Sequence, residues 1–219
     1  MVKGLDTFRN YFADYEEQYV LIGGAACDII FESNDATFRA TRDLDMVLIV
    51  EALTPEFGER FWKFIQNGRY RNKTTSVQKP QFYRFDKPED DTYPKMIELF
   101  CRNNFELRKM TGITPIHIDD SVSSLSAILL DDEYYKALLE GKVVRNGLSV
   151  LRPEYLILFK AKAYLDLKQM KEKGEAVDSS DIKKHKKDIL RITAELMLES
   201  VSELPAKVKL DIDTFIGFF

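Results

Sequence analysis

The sequence predicts an α+β fold: a mixed sheet flanked by helices over residues 1–150, and a helical half over residues 151–219. Three observations carry this. Up to about residue 150, apolar runs of strand length alternate with segments of helical spacing. The dipeptide Asn146-Gly147, a tight-turn signal, joins two β-rich runs at the end of that stretch. From Pro153 onward the pattern is helical.

The elements follow in order. Leu5, Phe8, Phe12 and Tyr15 recur at helical spacing and predict an amphipathic opening helix. Tyr19–Ile22 is a short apolar run that stops at Gly23-Gly24, as a buried strand does, and residues 25–31 read as a helix entered from those glycines. Residues 44–50 are a second β-rich run. Thr54-Pro55-Glu56 then supplies an N-cap and a first-turn proline for a helix through Phe57, Phe61, Phe64 and Ile65 that stops near Asn67-Gly68.

Residues 81–85 and 96–101 read as two strands joined across an acidic, Pro88-containing loop, which predicts a hairpin. Residues 125–130 read as a further strand, residues 132–140 as a short helix, and residues 143–150 as the Asn-Gly hairpin. In the second half, residues 154–171, 181–199 and 205–218 read as helices, with a polar loop holding Gly174 between the first two.

With 219 residues, 45% of them hydrophobic, the chain can bury a core for one large domain or for a larger domain and a small helical one. No apolar run reaches the roughly 18 residues that span a bilayer, and residues 1–6 carry no signal-peptide pattern. The expectation is a soluble, cytoplasmic protein. Cys27 and Cys101 fall in apolar segments without metal-type spacing and read as buried reduced thiols.

The formal net charge of −4 lacks the basic balance of a dedicated nucleic-acid binder. Lys183, Lys184, Lys186 and Lys187 flank His185, forming either a solvated helix face or a face that meets phosphates. His117 and His185 are isolated, and neither is assigned as ligand or base.

The chemistry-bearing residues are acidic. Asp43 and Asp45 stand two apart at the start of a β-rich run, so a strand would point both carboxylates to one face. Glu98 lies inside the apolar run Met96-Ile97-Glu98-Leu99-Phe100, where an ionised carboxylate needs a partner. If the two strands are neighbours, three carboxylates converge, and such a cluster repels itself unless cations neutralise it. Oxygen ligands of this kind suit Mg²⁺ or Mn²⁺, and two such cations can activate a hydroxyl and stabilise a leaving pyrophosphate.

Taken singly, an Asp-x-Asp is often a strand entry with solvated acids, and a Gly-Gly is often a tight turn. Here Gly23-Gly24 ends a strand and opens a helix, which exposes backbone N–H groups where a phosphate can bind. Arg39 and Arg42, just before the acids, are placed either to neutralise phosphate or to pair with Asp43.

The segments Leu21-Ile22-Gly23-Gly24-Ala25-Ala26, Arg39-Ala40-Thr41-Arg42-Asp43-Leu44-Asp45 and Ile97-Glu98-Leu99 resemble the nucleotidyltransferase superfamily related to DNA polymerase β. The Arg-x-Thr-x-Asp-x-Asp form is similar to the bacterial branch that includes AbiEii-type toxins. The likeness extends to Lys160 after Pro153-Glu154-Tyr155-Leu156, and to Lys187-Asp188.

The resemblance implies a catalytic domain over residues 1–150. It also implies a nucleotide site closed by Lys160 and Asp188 from the helical half, and metal held by Asp43, Asp45 and Glu98. The sequence departs from the pattern in two ways: eighteen residues separate Gly24 from Asp43, and Glu stands where the third acid is commonly Asp.

The implied activity is Mg²⁺-dependent transfer of a nucleoside monophosphate from an NTP such as ATP to an acceptor hydroxyl on RNA, protein or a small molecule. The alternatives are an antibiotic-modifying enzyme, whose cationic substrate the acidic net charge would suit, or a non-catalytic nucleotide-binding component of a toxin–antitoxin or defence system with an antitoxin partner.

Overall fold

The computed structural model describes residues 2–72, 82–101, 128–129, 131–201 and 203–218, with the backbone alone at 72, 82 and 83. The chain divides into two compact units. The first takes the described residues of 1–118 with Val143–Val150, and the second those of 119–142 with those of 151–219. The sequence pattern puts residues 1–150 in one domain. In the structure the first unit ends at Val150, and the helix Asp132–Gly141 belongs to the second unit.

In the first unit the chain runs α1 (Leu5–Tyr11), β1 (Tyr19–Ile22), α2 (Gly23–Glu32), β2 (Asp43–Leu48), α3 (Pro55–Asn67), β3 (Arg71–Asn72), β4 (Phe82–Asp86) and β5 (Met96–Cys101). After α4 (Asp132–Gly141) come β6 (Lys142–Arg145) and β7 (Leu148–Leu151). Among the described residues the sheet has seven strands in the order β3-β4-β5-β2-β1-β7-β6. It is mixed: β1 runs antiparallel to β2 and parallel to β7, β2 runs parallel to β5, and β4–β5 is antiparallel.

Local chemistry accounts for these elements. Every side chain of β1 is buried, which suits an unbroken apolar run at the middle of a sheet. Thr54 caps α3, its Oγ1 accepting from the Phe57 amide at 3.3 Å, and Pro55 supplies the first helical residue. The Asn146-Gly147 turn closes β6–β7 with positive φ at both residues. The opening helix stops at Tyr11, short of the Tyr15 that its spacing suggested, and Asp14 adopts φ 71° just beyond.

The core against one sheet face is aromatic. Phe8, in the middle of α1, and Phe12, just beyond its end, meet Phe64 of α3 at ring-centroid distances of 5.8 and 5.3 Å. Phe61 of α3 meets Phe85 of β4 at 5.6 Å, and Phe8 meets Tyr19 of β1 at 5.5 Å. Phe85 is in register with Ile97, and Ile97 with Leu44. The α1/α3 layer therefore covers the face that carries Leu44, Ile97 and Phe85, and the alternate residues of those strands point the other way.

The second unit adds α5 (Pro153–Glu172), α6 (Ser179–Glu195) and α7 (Ala206–Ile216) to α4. Ala161, Ile189 and Phe215 form a small core there, with Ile157, Tyr164, Leu165 and Ile212 packed against it. Tyr134 of α4 joins it by an edge contact to Phe159 and by its hydroxyl, which donates to Asp211 Oδ2 at 2.9 Å.

The strand expected over residues 125–130 is corrected: Ile128 and Leu129 are helical, and the other positions lie outside the described residues, as does His117. A six-residue, mostly apolar stretch carries no periodicity that separates strand from helix, and Leu and Ala favour the latter. Among the described residues no helix is long and apolar enough to cross a membrane.

Candidate active site

The acids of the sequence motif meet on one sheet face. Asp45 of β2 is in register with Glu98 of β5, and Glu98 with Arg84 of β4. Residues in register share a face, and residues two apart on a strand do too. Asp43, Asp45, Glu98 and Arg84 thus stand on the face opposite the α1/α3 aromatic layer. Asp43 and Asp45 are half-buried, and Glu98 is buried.

The glycine turn abuts this face. Gly23 opens α2 with φ +65°, a conformation that side chains oppose. A Cβ built on Gly23 would stand 1.9 Å from Asp45 Oδ2, and one on Gly24 would stand 2.7 Å from Thr41 Oγ1. The absence of side chains is therefore used from within the chain: Asp45 and Thr41 of the Arg-x-Thr-x-Asp-x-Asp segment close onto the two glycines. The residue preceding α2 is Ile22, which has no polar side chain to cap the first amides.

Glu98 already has a partner. Arg84 Nε donates to Glu98 Oε1 at 2.7 Å, and Arg84 Nη2 lies 2.5 Å from the same oxygen. The sequence shows no base within the Glu98 strand, and the base on its neighbour escapes a reading of one strand at a time. The available signal is a lone arginine in the aromatic run Phe82-Tyr83-Arg84-Phe85. Among the described residues no three His, Cys, Asp or Glu side chains are gathered into a ready-made metal site. Asp43 and Asp45 still fit one by donor chemistry, as two carboxylates on one face beside a glycine that leaves room for Asp45.

Arg39 and Arg42 lie in the segment before β2. The Arg39 guanidinium sits 5.3 Å from the centroid of the Phe38 ring, and Arg42 is exposed. In the second unit, Lys160 Nζ donates to Asp188 Oδ2 at 2.8 Å, with side chains 7% and 4% exposed. The two residues assigned to a nucleotide site from the helical half hold each other across α5 and α6.

Lys160 and Lys162 stand two apart on one helix and cannot share a face, so the sequence sets Lys162 toward solvent; the structure corrects this. Lys162 pairs with Asp166 at 2.6 Å, lies 3.9 Å from Asp211, and its side chain is 19% exposed. A third helix, α7, covers that side of α5. Lys183, Lys184 and Lys187 are exposed on α6, and His185 is half-buried. Cys27 and Cys101 are buried free thiols.

No family model matches the chain, and no curated protein matches it. Among solved structures the chain is similar to an antigenic nucleotidyltransferase-like protein from Paracoccidioides brasiliensis, at 15% identity and a TM-score of 0.47 over 98% of this chain and 88% of that one.

Proposed function

We propose that the first unit is the catalytic part of a Mg²⁺-dependent nucleotidyltransferase, which transfers a nucleoside monophosphate from an NTP to an acceptor hydroxyl and releases pyrophosphate. One observation carries the reading: the Asp43–Asp45 pair shares a sheet face with Glu98, and Asp45 closes on the glycine turn that opens α2.

Asp43 and Asp45 would hold the divalent cation. Bound there, the cation would supply charge neutralisation on the phosphoryl oxygens and activation of the attacking hydroxyl. The chain's own contribution is placement. The α2 N-terminus directs backbone N–H groups and the positive end of the helix dipole toward an anion. Gly23 lets the Asp45 carboxylate come against the turn, and the exposed Arg42 adds a cation beside Asp43. The acceptor oxygen forms its bond to the α-phosphorus as the bond to the pyrophosphate oxygen breaks.

The test uses the full chain with each labelled NTP, Mg²⁺ and cell extract. The expected result is label transferred to an acceptor, with pyrophosphate released in equal amount, and the labelled product identifies the acceptor class. No release with any NTP, together with no nucleotide binding, sinks the proposal.

A further inference from the structure

The Arg84–Glu98 pair alters what Glu98 can do. The sheet places Arg84, Glu98 and Asp45 in one row across three adjacent strands. Two of the guanidinium's five donors converge on one oxygen, Glu98 Oε1, at 2.7 and 2.5 Å. The Glu98 side chain is 12% exposed and that of Arg84 is 28% exposed, so the pair is largely withdrawn from solvent. Oε1, accepting two charge-assisted bonds, has little lone-pair density left for a cation, and the adjoining guanidinium charge disfavours a cation at either oxygen of this carboxylate. Conversely, a guanidinium fixed by a carboxylate on one edge presents its other N–H groups in a planar fork that matches phosphate geometry.

We propose that Glu98 is a positioning residue and not a metal ligand: it fixes Arg84 on the sheet face that carries the Asp43–Asp45 pair, two strands away, where the guanidinium takes a phosphate of the nucleotide. The inference rests on the nucleotide reading above. It makes the site two carboxylates and an arginine, in place of three carboxylates.

The experiment separates metal from phosphate. Mn²⁺ alone is titrated by electron paramagnetic resonance, and inorganic triphosphate by calorimetry, on the full chain and on Glu98→Gln, Arg84→Gln, Arg84→Lys and Asp45→Asn. Asp45→Asn should lose Mn²⁺ binding. Glu98→Gln should keep its Mn²⁺ affinity within about twofold while triphosphate binds about tenfold more weakly, the scale of one charge-assisted contact. Arg84→Gln should weaken triphosphate at least as much and leave Mn²⁺ unaffected. Arg84→Lys keeps the charge and the ion pair but loses the fork, and should fall between; it also serves where Arg84→Gln fails to fold.

Loss of Mn²⁺ binding in Glu98→Gln to the extent seen in Asp45→Asn would make Glu98 a ligand and overturn the proposal. Unchanged triphosphate affinity in folded Arg84→Gln or Arg84→Lys would also overturn it, leaving an ordinary cross-strand ion pair. A wild-type chain that binds neither probe overturns the nucleotide reading itself, an outcome distinct from both.

Discussion

Gly23 and Asp45 occupy each other's space: a methyl group on Gly23 would stand 1.9 Å from Asp45 Oδ2. The two residues are far apart in sequence, and β1–β2 pairing brings them together, with Ile22 in register with Asp45. The carboxylate that would bind metal thus lies beside the helix N-terminus that would bind phosphate, because glycine leaves room for it. Thr41 repeats the relationship with Gly24 at 2.7 Å.

Gly23→Ala is therefore expected to be costly in two ways. The residue keeps a left-handed backbone, worth about 1–2 kcal/mol against alanine, and its methyl displaces Asp45. The melting temperature should fall on the order of 5 °C, and Mn²⁺ affinity should fall with it. A variant with wild-type melting and wild-type Mn²⁺ binding would show that Asp45 is not held by this contact.

Asp43→Asn and Asp45→Asn should behave in the opposite way. Each relieves repulsion between carboxylates on one face, so thermal stability should hold or rise slightly. NTP turnover should fall by roughly two orders of magnitude or more, the scale of losing one electrostatic element of a transition state. Near-wild-type pyrophosphate release from either variant would remove the pair from the chemistry.

Several of these features are legible in the sequence, for physical reasons. The strand–glycine–helix order and the shared face of Asp43 and Asp45 follow from local geometry with period two. The Thr54-Pro55 helix start and the Asn146-Gly147 turn are short-range signals of the same kind. Features that depend on register or on packing between distant segments are not legible. Which residue of the aromatic strand opposes Glu98 depends on how the chain crosses residues 87–95, and only the folded hairpin sets Arg84 there. The placement of α4 depends on Tyr134 meeting Phe159 and Asp211, contacts made 25 or more residues along the chain. Lys162 reads as solvent-facing because its own helix says nothing of α7, which brings Asp211 to it.

Asp131 gives a prediction in pH. Its carboxylate Oδ1 caps α4, accepting from the Glu133 and Tyr134 amides at 3.0 and 3.3 Å, and its other oxygen pairs with Lys207. Burial pushes its pKa up, but the Lys207 ammonium and the two amides outweigh that and hold it below the usual carboxylate range. A depressed carboxylate contributes stability that is present above its unfolded pKa of about 4 and is lost as pH falls through the lower folded value. Asp131→Asn keeps a good cap without the charge. The urea midpoints of wild type and this variant should differ at pH 7 and converge as the pH is lowered below the carboxylate range. A gap that persists undiminished in acid would mean that the charge on Asp131 contributes nothing.

The buried pair of Lys160 and Asp188 sets the last prediction. At 2.8 Å, with both side chains more than nine-tenths buried, each ion offsets much of the other's cost of burial. Lys160→Met alone, or Asp188→Leu alone, leaves one charge in a low-dielectric interior and should cost about 3–5 kcal/mol in urea unfolding. The double variant removes both charges for apolar groups of similar bulk, and should recover most of that loss. The coupling in this double-mutant cycle is then large and favourable. Additive single effects, each under about 1 kcal/mol, would contradict a buried pair. Because the double variant should fold, it also separates two roles. If the pair only joins α5 to α6, NTP affinity in the double variant stays at the wild-type level. If Lys160 and Asp188 touch nucleotide, as the sequence resemblance implies, affinity drops in a protein that is otherwise stable.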